Sequence, residues 1–346
     1  MFKKLLVTLL LTLPLTACGG ENQPSNTTTA STSRLDTIKE RGSLICGVNG
    51  EVPGFSFVDE NGQYSGLDVD VCRAIAAALF DDPDQVEYRK LSAQERFPAV
   101  QSGEVDVLNR NTTWTISRDT TNGMEFAPTV FYDGQGIMVT TASGVTDIQG
   151  LAGKSICVLA GTTTEQNLAD QMRKQGIEDY NPVTFEDVDA LYAAYQEGRC
   201  EGVTADRSQL VARRSIIPNS NEHNVLDVVL SKEPLGPAVK NNDSDWFDAV
   251  KWITYALIQA EEFGITQENL TTFENSEDPN IRRFLGLDDK LGEGIGLPND
   301  FAERIVKHVG NYGEVYERNI GQPLGLDRGP NKLWTEGGLL YSPPFR

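Results

Sequence analysis

Apolar positions along this chain switch between two spacings, every second residue and every third or fourth, in a recurring order. The runs 44–48, 86–91 and 105–109 read as strands. Between them, 68–80 carries Val71, Ile75, Ala78 and Leu79 at helical spacing, and 93–103 reads as a second helix. The order restarts after Val139, with a strand over 154–160 and a helix over 163–176 capped by its own threonines. A short strand at 183–185, a helix at 190–198 and a strand at 200–205 follow. Strands alternating with helices imply largely parallel sheets. Two such series imply two α/β units.

Flanking segments complete the outline. Residues 35–40 form a short helix closed by Gly42, and Asp59-Glu60-Asn61-Gly62 is a hairpin turn. The glycine-containing run 131–138 and the proline-rich run 232–239 are extended and link the two units. The predicted lobes are therefore 34–134 with 238–346, and 135–237. Trp246, Val250, Ile253 and Leu257 mark one face of a late helix stopped by Gly264. Phe301, Ile305, Val309, Tyr312 and Tyr316 mark another. The Gly/Pro-rich stretch 322–346 reads as a strap packed on a lobe.

The first 33 residues stand outside this pattern. Lys3 and Lys4 precede an apolar run over 5–15, too short to span a bilayer. It ends in Leu15-Thr16-Ala17-Cys18, which resembles a bacterial lipobox. Residues 1–17 are then expected to be a lipoprotein signal peptide, with Cys18 lipidated. The polar run after Cys18 reads as a tether over 18–33 without a core of its own. Export makes Cys46, Cys72, Cys157 and Cys200 disulfide candidates. Four cysteines allow three connectivities, and Cys46–Cys72 with Cys157–Cys200 keeps each bridge inside one lobe.

A net charge of -20 with no basic cluster excludes nucleic acid and anionic membrane surfaces as partners. The membrane is met only through the lipid. His223 and His308 are too far apart in sequence to suggest a zinc site or a Ser-His triad. The run Gly150-Leu-Ala-Gly153-Lys154-Ser155 precedes a strand instead of following one, so it is no phosphate loop. Gly134-x-Gly136 lacks the rest of a dinucleotide fingerprint. No cofactor and no metal is expected.

Three segments carry candidate chemistry. Residues 111–118, Asn-Thr-Thr-Trp-Thr-Ile-Ser-Arg, follow a strand and offer hydroxyls and one guanidinium fork to a carboxylate. Gly161-Thr162-Thr163-Thr164-Glu165 follows another strand and opens a helix, whose N-terminal N–H groups bind anions. Thr162 or Thr163 also serves as its cap. Asp206 ends a third strand, either as an N-cap or as a counter-ion for an ammonium. All three lie at carboxyl ends of strands, where open α/β sheets bind ligands. A guanidinium, a helix N-terminus and a carboxylate together complement an amino-acid zwitterion.

Thr113-x-Thr115-x-x-Arg118, with Gly161-Thr162-Thr163 and Asp206, resembles the polar amino-acid-binding proteins of ABC transporters. The closing Leu333-Trp334-Thr335-Glu336-Gly337-Gly338 and Pro343-Pro344-Phe345-Arg346 resemble their general L-amino-acid branch. The resemblance covers residues 34–346. It implies the type II periplasmic binding protein fold, two α/β lobes joined by two crossing strands, and partnership with an ABC permease. It further implies that Arg118 grips the α-carboxylate, helped by the Thr113 hydroxyl and the Thr163 N–H. Asn111 acts through backbone groups, and Asp206 takes the α-ammonium. Where many members place an aromatic before Phe55, this chain has Val52 preceded by Glu51, leaving Phe55, Phe57 and Trp114 as side-chain contacts or core residues. A non-enzymatic binder is expected, the alternative being a dehydratase of the arogenate type, with Glu51 or Glu165 as its acid.

Overall fold

A computed structural model describes residues 33–346. The signal segment, Cys18 and the tether lie outside the described residues. Ser33 caps the first helix, Arg34–Arg41, and Gly42 closes it in the left-handed region. Among the described residues, no helix is long and apolar enough to cross a membrane.

Two five-stranded sheets form the lobes. The first runs Val86–Lys90, Leu44–Val48, Val107–Leu108, Ala238–Lys240, Met124–Phe126; the second runs Asn181–Phe185, Ser155–Leu159, Gly202–Asp206, Gln135–Thr140, His223–Val225. In each sheet the first three strands are parallel, as the alternation predicts. The fourth strand is antiparallel to both its neighbours. That departure from a parallel sheet has a simple cause. Both fourth strands arrive from the other lobe, at the carboxyl ends of the parallel strands: Ala238 pairs with Leu108, and Gln135 with Asp206. A chain entering at that end can only run back the other way.

The crossing segments pair with each other as a short antiparallel ribbon, Phe131–Asp133 against Glu233–Leu235. A Cβ on Gly134 would lie 2.6 Å from Val229 and 2.9 Å from the Ser231 carbonyl, so only glycine fits there without a shift.

Period-two alternation buries both faces of each sheet. On Ser155–Leu159, Ile156 and Val158 meet Leu168 and Met172 of the helix Thr163–Lys174. Cys157 and Leu159 face the opposite core with Leu191 and Tyr192. In the first lobe, Leu67–Phe80, Ser244–Glu262 and Phe301–Val309 share one large core with Cys46, Val48 and Val107. Cys46 is bonded to Cys72 and Cys157 to Cys200, the pairing that keeps each bridge within a lobe.

The predicted helical face from Phe301 to Tyr316 is two helices. Gly310 ends Phe301–Val309, and Asn311 with Glu314 forms a capping box that starts Tyr312–Tyr316. The closing strap packs through Leu333, Leu340 and Phe345, while Trp334 and Tyr341 stay exposed. Asn331 accepts the Tyr132 N–H at 2.6 Å and donates to the Tyr132 carbonyl at 3.2 Å, fastening the strap to the crossing ribbon.

Candidate functional site

The carboxyl ends of both sheets face one cleft, whose closed inner part is lined by Arg96, Arg110, Asn111, Thr113 and Arg118 from the first lobe. The second lobe contributes Thr162, Thr163, Thr164, Asp206 and Gln209. The lobes are drawn together across it. Asn111 Nδ2 donates to Gln209 Oε1 at 3.3 Å, and Arg96 donates to the Gly161 carbonyl at 3.3 Å. Arg213 donates to the Glu51 carbonyl at 2.8 Å.

Local structure aims each group. Thr115 caps the one-turn helix Ile116–Thr120 by accepting the Arg118 N–H at 3.3 Å. That turn folds Arg118 back, so that one terminal nitrogen donates to the Thr113 carbonyl at 2.7 Å and the guanidinium lies 5.3 Å from the centre of the Phe97 ring. Asn111 takes a positive φ of 34°, and its N–H donates to the buried Asp68 carboxylate at 2.9 Å. Asparagine tolerates that backbone region better than most residues. Burial pushes the Asp68 carboxyl up to about 6, against the opposing pull of that N–H and of Arg110.

In the second lobe Thr162 is the helix cap, accepting the Glu165 N–H at 3.2 Å. Thr163 and Thr164 line the cleft, and their N–H groups, in the first turn of Thr163–Lys174, have no intrahelical partner by geometry. Asp206 ends Gly202–Asp206 and makes no capping bond to the helix Arg207–Ile216. Its carboxylate is thus left for the pocket. Burial raises its pKa well above the ordinary value. Asp133 and Glu233 add to that, while Asn111 and Arg118 oppose it.

Among the side chains that line the pocket cations outnumber anions, although the acids Asp68, Asp133 and Glu233 stand beside them. Arg96, Arg110 and Arg118 line the pocket, all nearly buried, against the single carboxylate of Asp206. Burial pushes Arg110 and Arg118 down to about 10. Arg96 is driven furthest below its ordinary value, by burial and then by repulsion from Arg118 and Arg110. Its guanidinium stacks 4.8 Å from the centre of the Phe97 ring, and its Nε has no hydrogen-bond partner among the described residues. A further anion would relieve this crowding.

The sequence model of the bacterial extracellular solute-binding proteins, family 3, matches residues 44–269. The chain belongs to that family. The general L-amino acid-binding periplasmic protein AapJ of Rhizobium johnstonii is 51% identical over 321 residues, covering 92% of this chain and 94% of its own. The glutamate/glutamine/aspartate/asparagine-binding protein BztA of Rhodobacter capsulatus is 49% identical over 320 residues, again 92% and 94%. A periplasmic binding protein from Brucella ovis, solved with glutathione bound, superposes with a TM-score of 0.89 at 48% identity, covering 91% of this chain and 100% of that one. The fold is the two-lobed type II periplasmic binding protein fold that the motifs imply. The family works outside the cytoplasm, in the periplasm or the extracellular space.

Of the residues singled out in this solute-binding protein's sequence, Asn111, Thr113, Arg118, Thr162, Thr163 and Asp206 come together in the cleft. Phe55 and Trp114 do not. Phe55 is 1% exposed and packs edge-on against Phe131 at 5.0 Å, inside the first lobe's core. Trp114 is 46% exposed, lies flat against Phe126 at 6.1 Å, and borders the outer side of the crossing ribbon. Phe57 also does not line the pocket.

The two candidate acids are engaged elsewhere. Glu51 pairs with Lys90, and Glu165 Oε2 accepts the Gly161 N–H at 2.9 Å. The Thr113 hydroxyl donates to Glu233 Oε2 at 2.6 Å. Its lone pairs remain.

Arg96, Arg110, Asp68, Gln209 and Glu233 were not singled out by motif. Arg110 adjoins Asn111 directly, so its place beyond the strand was a usable signal. Arg96 reads in sequence as a solvated helix residue.

Proposed function

We propose that this protein is the substrate-binding component of an ABC-type amino-acid uptake system, capturing free L-amino acids between its lobes and delivering them to a permease, with glutamate and aspartate preferred. The observation that carries it is one pocket in which Arg118 and an Asp206 that makes no capping bond come from opposite lobes, while Arg96 Nε has no hydrogen-bond partner among the described residues. The α-carboxylate would meet Arg118 and the Thr163 N–H, and the α-ammonium Asp206, with Asn111 contributing backbone groups. A side-chain carboxylate would meet Arg96. AapJ's name supports a general amino-acid ligand, and BztA's a ligand among glutamate, aspartate and their amides. The moving bodies would be 34–134 with 238–346, and 135–237.

Calorimetric titration with the twenty amino acids and with glutathione tests this. Glutamate and aspartate should bind tightest, and the ligand should be recovered unchanged after long incubation. No binding of any amino acid would refute the reading, and turnover of arogenate would replace it with the dehydratase.

Acid should weaken binding. The ammonium beside Asp206 favours its ionised form, so ligand binding opposes the upward shift that burial imposes and releases protons where the free side chain holds them. Affinity should therefore fall as pH drops through the raised Asp206 pKa and level off above it. Titrations in two buffers of different ionisation enthalpy should show proton release in that window. An affinity that stays constant on acidification, with no proton release on binding, contradicts the assignment.

The lipobox-like segment supports anchoring through Cys18 to a bacterial membrane. Mass spectrometry of the mature N-terminal peptide should find Cys18 acylated; a free thiol, or a peptide that begins elsewhere, refutes it.

A further inference from the structure

Glu233 is a buried acid that does not line the pocket, although its charge acts on both Arg118 and Asp206. It stands in the crossing ribbon, opposite Asp133. Its carboxylate accepts from four side chains. Thr113 Oγ1 donates to Oε2 at 2.6 Å from the first lobe. Thr163 Oγ1 donates to the same oxygen at 2.9 Å, and Asn167 Nδ2 to Oε1 at 2.9 Å, both from the first turns of a second-lobe helix. Ser231, in the second crossing segment, also donates to Oε1. One carboxylate thus accepts from both lobes beside the ribbon that joins them.

An opening that parts the first-lobe donor Thr113 from the second-lobe donors Thr163 and Asn167 breaks some of these bonds, whichever lobe Glu233 follows. If it stays with Thr113, opening withdraws Thr163 and Asn167. If it stays with the second lobe, opening withdraws Thr113. Hydrogen bonds to a charged group are stronger than neutral ones, and a buried carboxylate stripped of donors is costly. The bonds therefore favour the closed arrangement specifically. Thr113 and Thr163 also line the ligand pocket, and Arg118 donates to the Thr113 carbonyl. Glu233 consequently orders the same loop that presents the guanidinium.

We propose that Glu233 is a closure latch, a positioning residue that takes hydrogen bonds from both lobes and sets how long any captured ligand is retained. The proposal rests on the reading of the cleft as an amino-acid site. It concerns ligand escape rather than ligand choice, because Glu233 holds protein groups and not the ligand side chain.

The test is stopped-flow binding of glutamate and glutamine to the wild type, Glu233→Gln and Asn167→Ala, with thermal unfolding of each ligand-free protein. Asn167 lies outside the pocket lining, so its truncation removes a latch donor and leaves the ligand contacts in place. Glu233→Gln should raise the dissociation rate of both ligands by about 10- to 100-fold. Asn167→Ala should raise it less but in the same direction, and association should change little in either. Dissociation within twofold of wild type in Asn167→Ala, or in Glu233→Gln, with only the melting temperature lowered, would reduce Glu233 to a structural role. An effect on one ligand alone would make it a specificity residue and overturn the latch. A wild type that binds neither ligand removes the amino-acid reading itself.

Discussion

Arg118→Ala and Asp206→Asn should each weaken every accepted amino acid by similar factors, because both groups would touch only the α-carboxylate and α-ammonium that all share. The magnitude follows from burial. Truncating one partner of a desolvated charge pair costs roughly 2–5 kcal/mol, about 30- to several-thousand-fold in affinity. Much of that is the penalty for leaving the ligand's opposite charge buried and unpaired. Both side chains are nearly buried, Arg118 on the one-turn helix Ile116–Thr120 and Asp206 at the end of a second-lobe strand. Titration of the folded variants against a neutral and an acidic amino acid measures it. Affinity within about twofold of wild type would mark these residues as structural.

Arg96→Gln should change which amino acids bind. Glutamate and aspartate would lose the group proposed to face their side-chain carboxylate, again a loss of roughly 2–5 kcal/mol. Glutamine and asparagine should bind as well as before or better, because Arg96 repels Arg118 and Arg110 in the intact pocket. Arg96 also donates to the Gly161 carbonyl across the cleft, which a glutamine can partly retain. Parallel titrations with the four ligands separate the possibilities. An equal loss for all four would assign Arg96 to lobe closure and remove the basis for an acidic preference.

Much of the site was readable before the fold because its backbone logic is local. The Asn111 and Gly161 loops directly follow apolar strands, and Thr115 and Thr162 cap the helices that follow them. Capping is decided by residues three apart, well within the reach of a sequence pattern. Helix limits were likewise close, with Leu67–Phe80 against an expected 68–80 and Thr163–Lys174 against 163–176. Side-chain destinations were less accessible. Phe55 and Trp114 are aromatic residues near a site, yet one fills a core and the other covers Phe126 outside the cleft. An aromatic residue has the same composition value in either place.

What the sequence determined by itself was the parallel strands and the helices between them, their order, the loops at the strand ends and the pairing of cysteines within lobes; the edge strands Met124–Phe126 and His223–Val225 were not among them. Periodicity, turn chemistry and caps act over a few residues, and two successive α/β series leave few ways to close the bridges. Tertiary structure alone decided what those loops meet. Arg96 reaches Gly161 across 65 positions, and Glu233 reaches Thr163 across 70 and Thr113 across 120. It also decided that Asp206 is not spent on capping its helix. A charged side chain written in the sequence carries no record of which other charges will be buried beside it. Only when two lobes close and exclude water do three arginines, one aspartate and a glutamate at the ribbon acquire the energies that make them a site.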